Sequence, residues 1–222
     1  MFDLSRAGAP GFGYDRKCSS GAQRGAFFAG QGLAAGTLIA TQTGWQAIET
    51  IRHGARVVTV DHGLQKVVDC RSIRLLVDAS QVPDAMLPVR IPAGAVGNRA
   101  PVCVPPEQGV CVGDDGEDDG LTIVPAQSLI GYRGIARERD MADVHLCTLS
   151  FDEAQLVQTH DGLQAFCPKA NQDMADWLLV ETTAHTVMMP EEAAFVVDYL
   201  MELDALPPPP PAPRSHVIRL VA

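Results

Sequence analysis

Residues 32–41 read GLAAGTLIAT, and the next segment, QTGWQAIETIRHGARVVTVDHG, carries the same pattern on to Gly63. Short β-prone runs alternate with turn residues: TLIAT at 37–41, a QTGW turn, QAIETI at 46–51, an RHGA turn, then RVVTVD closed by His62-Gly63. Runs of four to six such residues bounded by Gly, Asn, Asp or His read as hairpins. Working outward, QKVVDCRSIRLLVD at 65–78 predicts one long bent strand or two strands around Cys70, and LPVRIPAGAVG at 87–97 another strand and turn. VCV (102–104) and GVCVG (109–113) set against GLTIVP (120–125) predict a hairpin with an acidic tip. Residues 143–166, DVHLCTLSFDEAQLVQTHDGLQAF, predict two more strands joined near 151–153 and closed by Asp161-Gly162.

Composition agrees with a β-rich core. Hydrophobic residues are 46% of the 222 and aromatics only 5%, so Val, Leu, Ile and Ala must fill the interior. The length suits one sizeable core with attached arms. A formal charge of −10, with 17 basic side chains that form no block, excludes a nucleic-acid surface, which needs clustered Lys and Arg. There is no 18-residue apolar run and no Sec-type leader at the start of the sequence, so a soluble protein, cytoplasmic or part of a bacterial particle, is expected.

The flanks have a different character. Residues 1–31 show neither a period of 2 nor one of 3.6 and predict an irregular arm. NQDMADWLLVETT (171–183) is ambiguous, whereas MPEEAAFVVDYLMELDAL (189–206) predicts a helix with Pro190 in its first turn and Glu191 and Glu192 against the helix dipole. Phe195, Tyr199, Leu200 and Leu203 fall on one face of it. Pro207–Pro211 predict a polyproline rod carrying SHVIRLVA, a tail able to add as a strand to a sheet edge.

The ordered set Ala35-Gly36-Thr37-x-Ile39-Ala40-Thr41, Ile48-Glu49-x-Ile51-x-x-Gly54-x-x-Val57-Val58-Thr59, LPVRIPAGAVGN (87–98), TIVPAQSLI (122–130) and DVHLCTLSFDEAQLV (143–157) resembles the bacterial Hint domains, relatives of hedgehog C-terminal domains and inteins. The resemblance spans about 32–168. It implies a mainly β horseshoe of hairpins with pseudo-twofold symmetry, here followed by a C-terminal α-helix (within 169–206) and extended terminal arms, the last being 207–222.

The same resemblance implies self-cleavage chemistry, and the chain departs from it at each part. The family's first residue, a Cys or Ser, attacks the preceding carbonyl; Gly32 stands there, and neither Gln31 nor Leu33 supplies a nucleophile. In the second block, Ser-Pro-Gln-His or a close variant, this chain reads Pro105-Pro106-Glu107-Gln108, so the hydroxyl falls on Pro105 and the imidazole on Gln108. In the third, Ser150-Phe151-Asp152-Glu153-Ala154 replaces Asp-Arg-His-Glu, and His145 lies on the strand before it. The expectation is a Hint-like scaffold whose vestigial positions are Gly32, Pro105, Gln108 and His145, with no catalytic residue, cofactor or metal. Such a protein would act as a binding or structural subunit, with protein partners held through the N-terminal arm, the 190–205 helix and the 207–222 tail. Two other readings stay open: autoprocessing by displaced groups, and a small-ligand site in the vacated cleft around Gly32, Gln108 and His145.

Other candidates carry less. The acidic tip 114–120, DDGEDDG, lacks the D-x-D-x-D-G spacing of a calcium loop. The six cysteines, 18, 70, 103, 111, 147 and 167, form no C-x-x-C pair, although Cys103 and Cys111 could bridge. Cys18 has basic neighbours, and His53, His62, His160 and His185 could in principle approach it. Asp152 and Glu153 are adjacent, which suits a solvated turn better than an acid/base pair.

Overall fold

The computed structural model describes residues 30–76, 83–113, 121–139, 143–170 and 185–206. The arm 1–29, the acidic tip, the segment 171–184 and the tail 207–222 lie outside the described residues, and so do the expectations placed on them, Cys18 included.

Among the described residues the paired strands run antiparallel. The chain runs β1 (Leu33–Ala34), β2 (Leu38–Thr41), β3 (Gly44–Ala47), β4 (Arg56–Thr59), β5 (Gly63–Lys66), β6 (Asp69–Leu76), β7 (Val89–Ile91), β8 (Val102–Val104), β9 (Gly109–Val112), β10 (Thr122–Pro125), β11 (Ala136–Arg137), β12 (Asp143–Ser150), β13 (Gln155–Gln158), β14 (Gln164–Cys167) and α1 (Pro190–Ala205). Among the described residues three sheets form: β1-β12-β6; an eight-stranded sheet ordered β10-β9-β14-β13-β4-β2-β3 with β5 on β4; and β11-β7-β8. This is the mainly β hairpin architecture with a C-terminal helix that the sequence predicts.

Burial follows the pleat. β4 alternates exposed and buried, with Val57 inside, and β7 buries Val89 and Ile91 while Arg90 faces out. β13 lies mid-sheet, and its Gln155, Leu156 and Val157 are all buried. One cluster joins Ile39, Val57, Ile91, Val110, Leu149 and Val157 across the sheets and takes in Ala193 and Val197 of α1.

Three local expectations need correction. QAIETI is a strand only to Ala47; residues 48–50 make a 3₁₀ turn that buries Ile48. VCV is β8 and pairs with β7 in the third sheet, so the β9–β10 hairpin forms without it, and Cys103 and Cys111, in different sheets, are not bridged. Of the two readings of 65–78 the two-strand one holds, but the break falls at Val67-Val68 and not around Cys70, because β5 pairs β4 while β6 pairs β12 along eight residues. Among the described residues no helix is long and apolar enough to cross a membrane.

Candidate functional site

Gly32 immediately precedes β1, which lies on β12 with Leu33 opposite Cys147. That pairing brings the Gln31–Gly32 peptide against two side chains. The Gly32 N–H donates to Gln108 Oε1 at 2.7 Å, and the Thr148 hydroxyl donates to the Gln31 carbonyl oxygen at 2.5 Å. Both ends of one peptide bond are therefore held, from elements far apart in sequence.

Gln108 is fixed in turn. It is 1% exposed, and its Nε2 donates to the carbonyls of Gly109 and Phe166, both at 2.9 Å. Those two carbonyls accept only, so they set the amide's orientation and leave Oε1 for Gly32. Pro105 and Pro106, both buried, close the turn before it: the Gln108 N–H donates to the Pro105 carbonyl at 3.1 Å. Gly109 has no alternative residue, since a Cβ there would lie 2.7 Å from Val187 Cγ2 and 2.8 Å from Phe166 Cβ.

At Gly32 an added Cβ would meet Thr148 Oγ1 at 3.0 Å and the Cys147 carbonyl at 3.3 Å. The side of the peptide toward which a Cβ would project is thus occupied by Thr148 and the Cys147 backbone. His145 belongs to another group, its Nε2 2.6 Å from Ser72 Oγ and 4.0 Å from Cys147 Sγ. Residues 147 and 148 are adjacent on a strand and point to opposite faces, so the Ser72–His145–Cys147 group is turned away from the carbonyl that Thr148 holds. A described pocket of about 250 Å³ lies elsewhere, lined by Arg90, Pro92, Pro101, Gly134 and Arg137 among others.

The remaining candidates disperse. Asp152 and Glu153 are exposed in a bend, and Glu153 pairs with Lys169 at 3.3 Å. His53 Nδ1 lies 2.6 Å from the Val68 carbonyl, and His160 sets its ring edge-on to Trp45 at 5.1 Å. Cys167 is buried in β14, and desolvation pushes its thiol up to about 12, away from the thiolate a nucleophile needs. His62 and His185 do meet, around Asp61. Two participants were missed by sequence reasoning: Thr148, one hydroxyl among the ordinary strand residues of CTLS, and Asp61, an unremarkable turn residue.

The profile of the family described as Hint domain matches residues 31–165, more than half of the chain, and begins at the peptide just described. The chain belongs to the Hint domain family. Solved structures similar to this Hint domain include a bacterial intein-like domain from Clostridium thermocellum, at 17% identity over 61% of this chain and 98% of that one, TM-score 0.45. They also include the gp41-1 intein, at 14% identity over 61% and 98%, TM-score 0.39. A splice-inactive variant of the AceL NrdHF class 3 split intein matches at 11% identity over 64% and 99%, TM-score 0.41. No curated protein matches the chain significantly.

Proposed function

We propose that this Hint domain does not cleave itself and serves as a protein-binding subunit of a larger assembly. The observation that carries the proposal is the state of the Gln31–Gly32 peptide. An acyl shift at this bond needs an atom on residue 32 to attack the Gln31 carbonyl carbon, then a proton for the departing nitrogen. Gly32 supplies no such atom. The group facing its nitrogen is the oxygen of Gln108, which accepts a hydrogen bond and has no proton to return. Thr148 still polarises the carbonyl, but polarisation alone breaks no bond. On this reading Gly32, Pro105 and Gln108 are vestiges, and their hydrogen bonds now hold the start of the domain in place.

Binding is supported by α1. Its buried residues are Ala193 and Val197, whereas Phe195 (77% exposed), Tyr199 and Leu203 line the outer face at i, i+4, i+8. Glu191, Glu192, Asp198 and Glu202 flank that stripe. Such a face suits a protein groove that is apolar at its floor and basic at its rim.

Intact mass of the purified full chain tests the first half, with and without dithiothreitol or hydroxylamine. A stable 23.7 kDa species is expected throughout, and a fragment starting at Gly32 would overturn the reading in favour of displaced catalysis. Size-exclusion of extracts from the native source tests the second. The wild-type chain should elute within an assembly and the Phe195→Glu, Tyr199→Glu chain as a free monomer; a free wild-type chain overturns it.

A further inference from the structure

The β4–β5 turn, which holds Asp61 and His62, meets the residues that lead into α1. The lead-in is held firmly: the Met188 N–H donates to the Ile123 carbonyl at 2.9 Å, and Val187 covers Gly109. This fixes His185, which is 4% exposed, with Nε2 2.7 Å from Asp61 Oδ2. On the other side of the same carboxylate, His62 Nδ1 lies 3.3 Å from Asp61 Oδ1, and the two imidazoles sit 5.6 Å apart, centroid to centroid. Ligand atoms from all three residues fall within 4.8 Å of one another.

We propose that Asp61, His62 and His185 bind a divalent transition-metal ion of the zinc class. Two imidazoles and one carboxylate are a donor set that zinc takes, with bonds of about 2.0–2.2 Å. Tetrahedral bonds of that length place ligand atoms about 3.3 Å apart. The Asp61–His62 spacing already matches; rotation of His62, whose side chain is 43% exposed at a hairpin tip, brings its nitrogen toward His185, and the 2.7 Å Asp61–His185 contact opens to admit the ion. In the ion-free chain Gln155, buried on β13, holds the ring with its Oε1 3.0 Å from His62 Nδ1; because that oxygen only accepts, Nδ1 gives up this contact when it takes the ion. Three protein ligands leave a fourth position for water or for a ligand from a partner. The ion would clasp the lead-in of α1 to the β4–β5 hairpin and so fix the direction of the helix that carries the exposed stripe. The proposal is independent of whether the Gln31–Gly32 bond is cleaved.

Titration of the metal-free full chain with Co²⁺ tests it, followed by competition with Zn²⁺. A single equivalent should give visible d–d bands of a nitrogen- and oxygen-ligated low-coordinate site, which Zn²⁺ abolishes. His62→Ala, an exposed change that spares the core, should weaken binding at least about tenfold, and His185→Gln likewise. Absence of the bands in the wild type overturns the proposal, leaving Asp61 and His185 in simple polar contact. Undiminished affinity in His62→Ala also overturns it, as does a sulfur-to-cobalt charge-transfer band, which would move the ion to the cysteines.

Discussion

At the scale of single residues, Gln108 is a structural anchor. Its amide serves three buried backbone groups at once, the Gly32 N–H and the Gly109 and Phe166 carbonyls. Gln108→Ala strands all three, and an unsatisfied buried polar group costs about 1–3 kcal/mol. Relaxation and water entry offset part of that, so a loss of about 2–5 kcal/mol is expected in urea unfolding. A loss below about 0.5 kcal/mol would mean that the Gln31–Gly32 peptide is not anchored as described. Gln108 was legible in the sequence because the Pro-Pro-Glu-Gln block kept its place in an ordered set of motifs. Thr148 was not, since strand hydroxyls are common and only the β1–β12 register brings this one to Gln31. Asp61 and His185 were illegible as a pair for the same reason: no local pattern reports a contact made by the way a segment crosses a sheet.

At the scale of elements, α1 was legible in its existence and its start, and Pro190 occupies its first turn as the sequence predicts. What periodicity could not give was which stripe faces inward. Phe195, Tyr199 and Leu203 share a face, but that face is solvent-exposed, while the smaller Ala193 and Val197, with part-buried Val196 and Leu200, pack on the 3₁₀ turn at 126–129 and on β10. Small residues let the helix approach closely, which the larger ones would prevent. The far end is pinned by Arg133, whose Nε and Nη2 both donate to Asp204, and whose guanidinium stacks on Tyr132 at 4.9 Å. Hydrogen bonding from Arg133 holds the Asp204 carboxyl below its ordinary range. A depressed folded value means the pair stabilises above the unfolded carboxylate range and loses its contribution as pH falls through the folded one. Asp204→Asn should therefore lower Tm relative to wild type at neutral pH, and the two Tm values should converge in acid. Parallel curves at every pH would remove this pair from the account of how α1 is held.

At the scale of the whole molecule, the limit of the family match and the limit of the core do not coincide. The Hint profile ends at residue 165, and hairpin periodicity in the sequence stops near the same place, which is why the sequence suggested an extension apart from the domain. In three dimensions the extension closes the structure: Val187 fills the space over Gly109, Met188 hydrogen-bonds to β10, and Ala193 and Val197 belong to the same cluster as Ala126 and Leu129. Hydrophobic patterning is read along the chain, and it reports that a segment has an apolar face without saying whose core that face completes. A chain ending at residue 170 would expose Ile123, Ala126 and Leu129, all under 2% exposed in the full structure. Burial of a Val-sized side chain is worth about 1.5–3 kcal/mol, so uncovering this patch and losing Val197 should cost at least about 3 kcal/mol. Urea unfolding of the truncated chain should show a lower midpoint, and an apolar dye should bind to it at concentrations where the full chain binds none. An unchanged midpoint with no dye binding would mean that the β domain stabilises itself alone and carries α1 as a passenger. A lowered midpoint would mean instead that the exposed stripe of α1 rides on an element the core requires, so that whatever docks there is read out directly by the stability of the Hint domain.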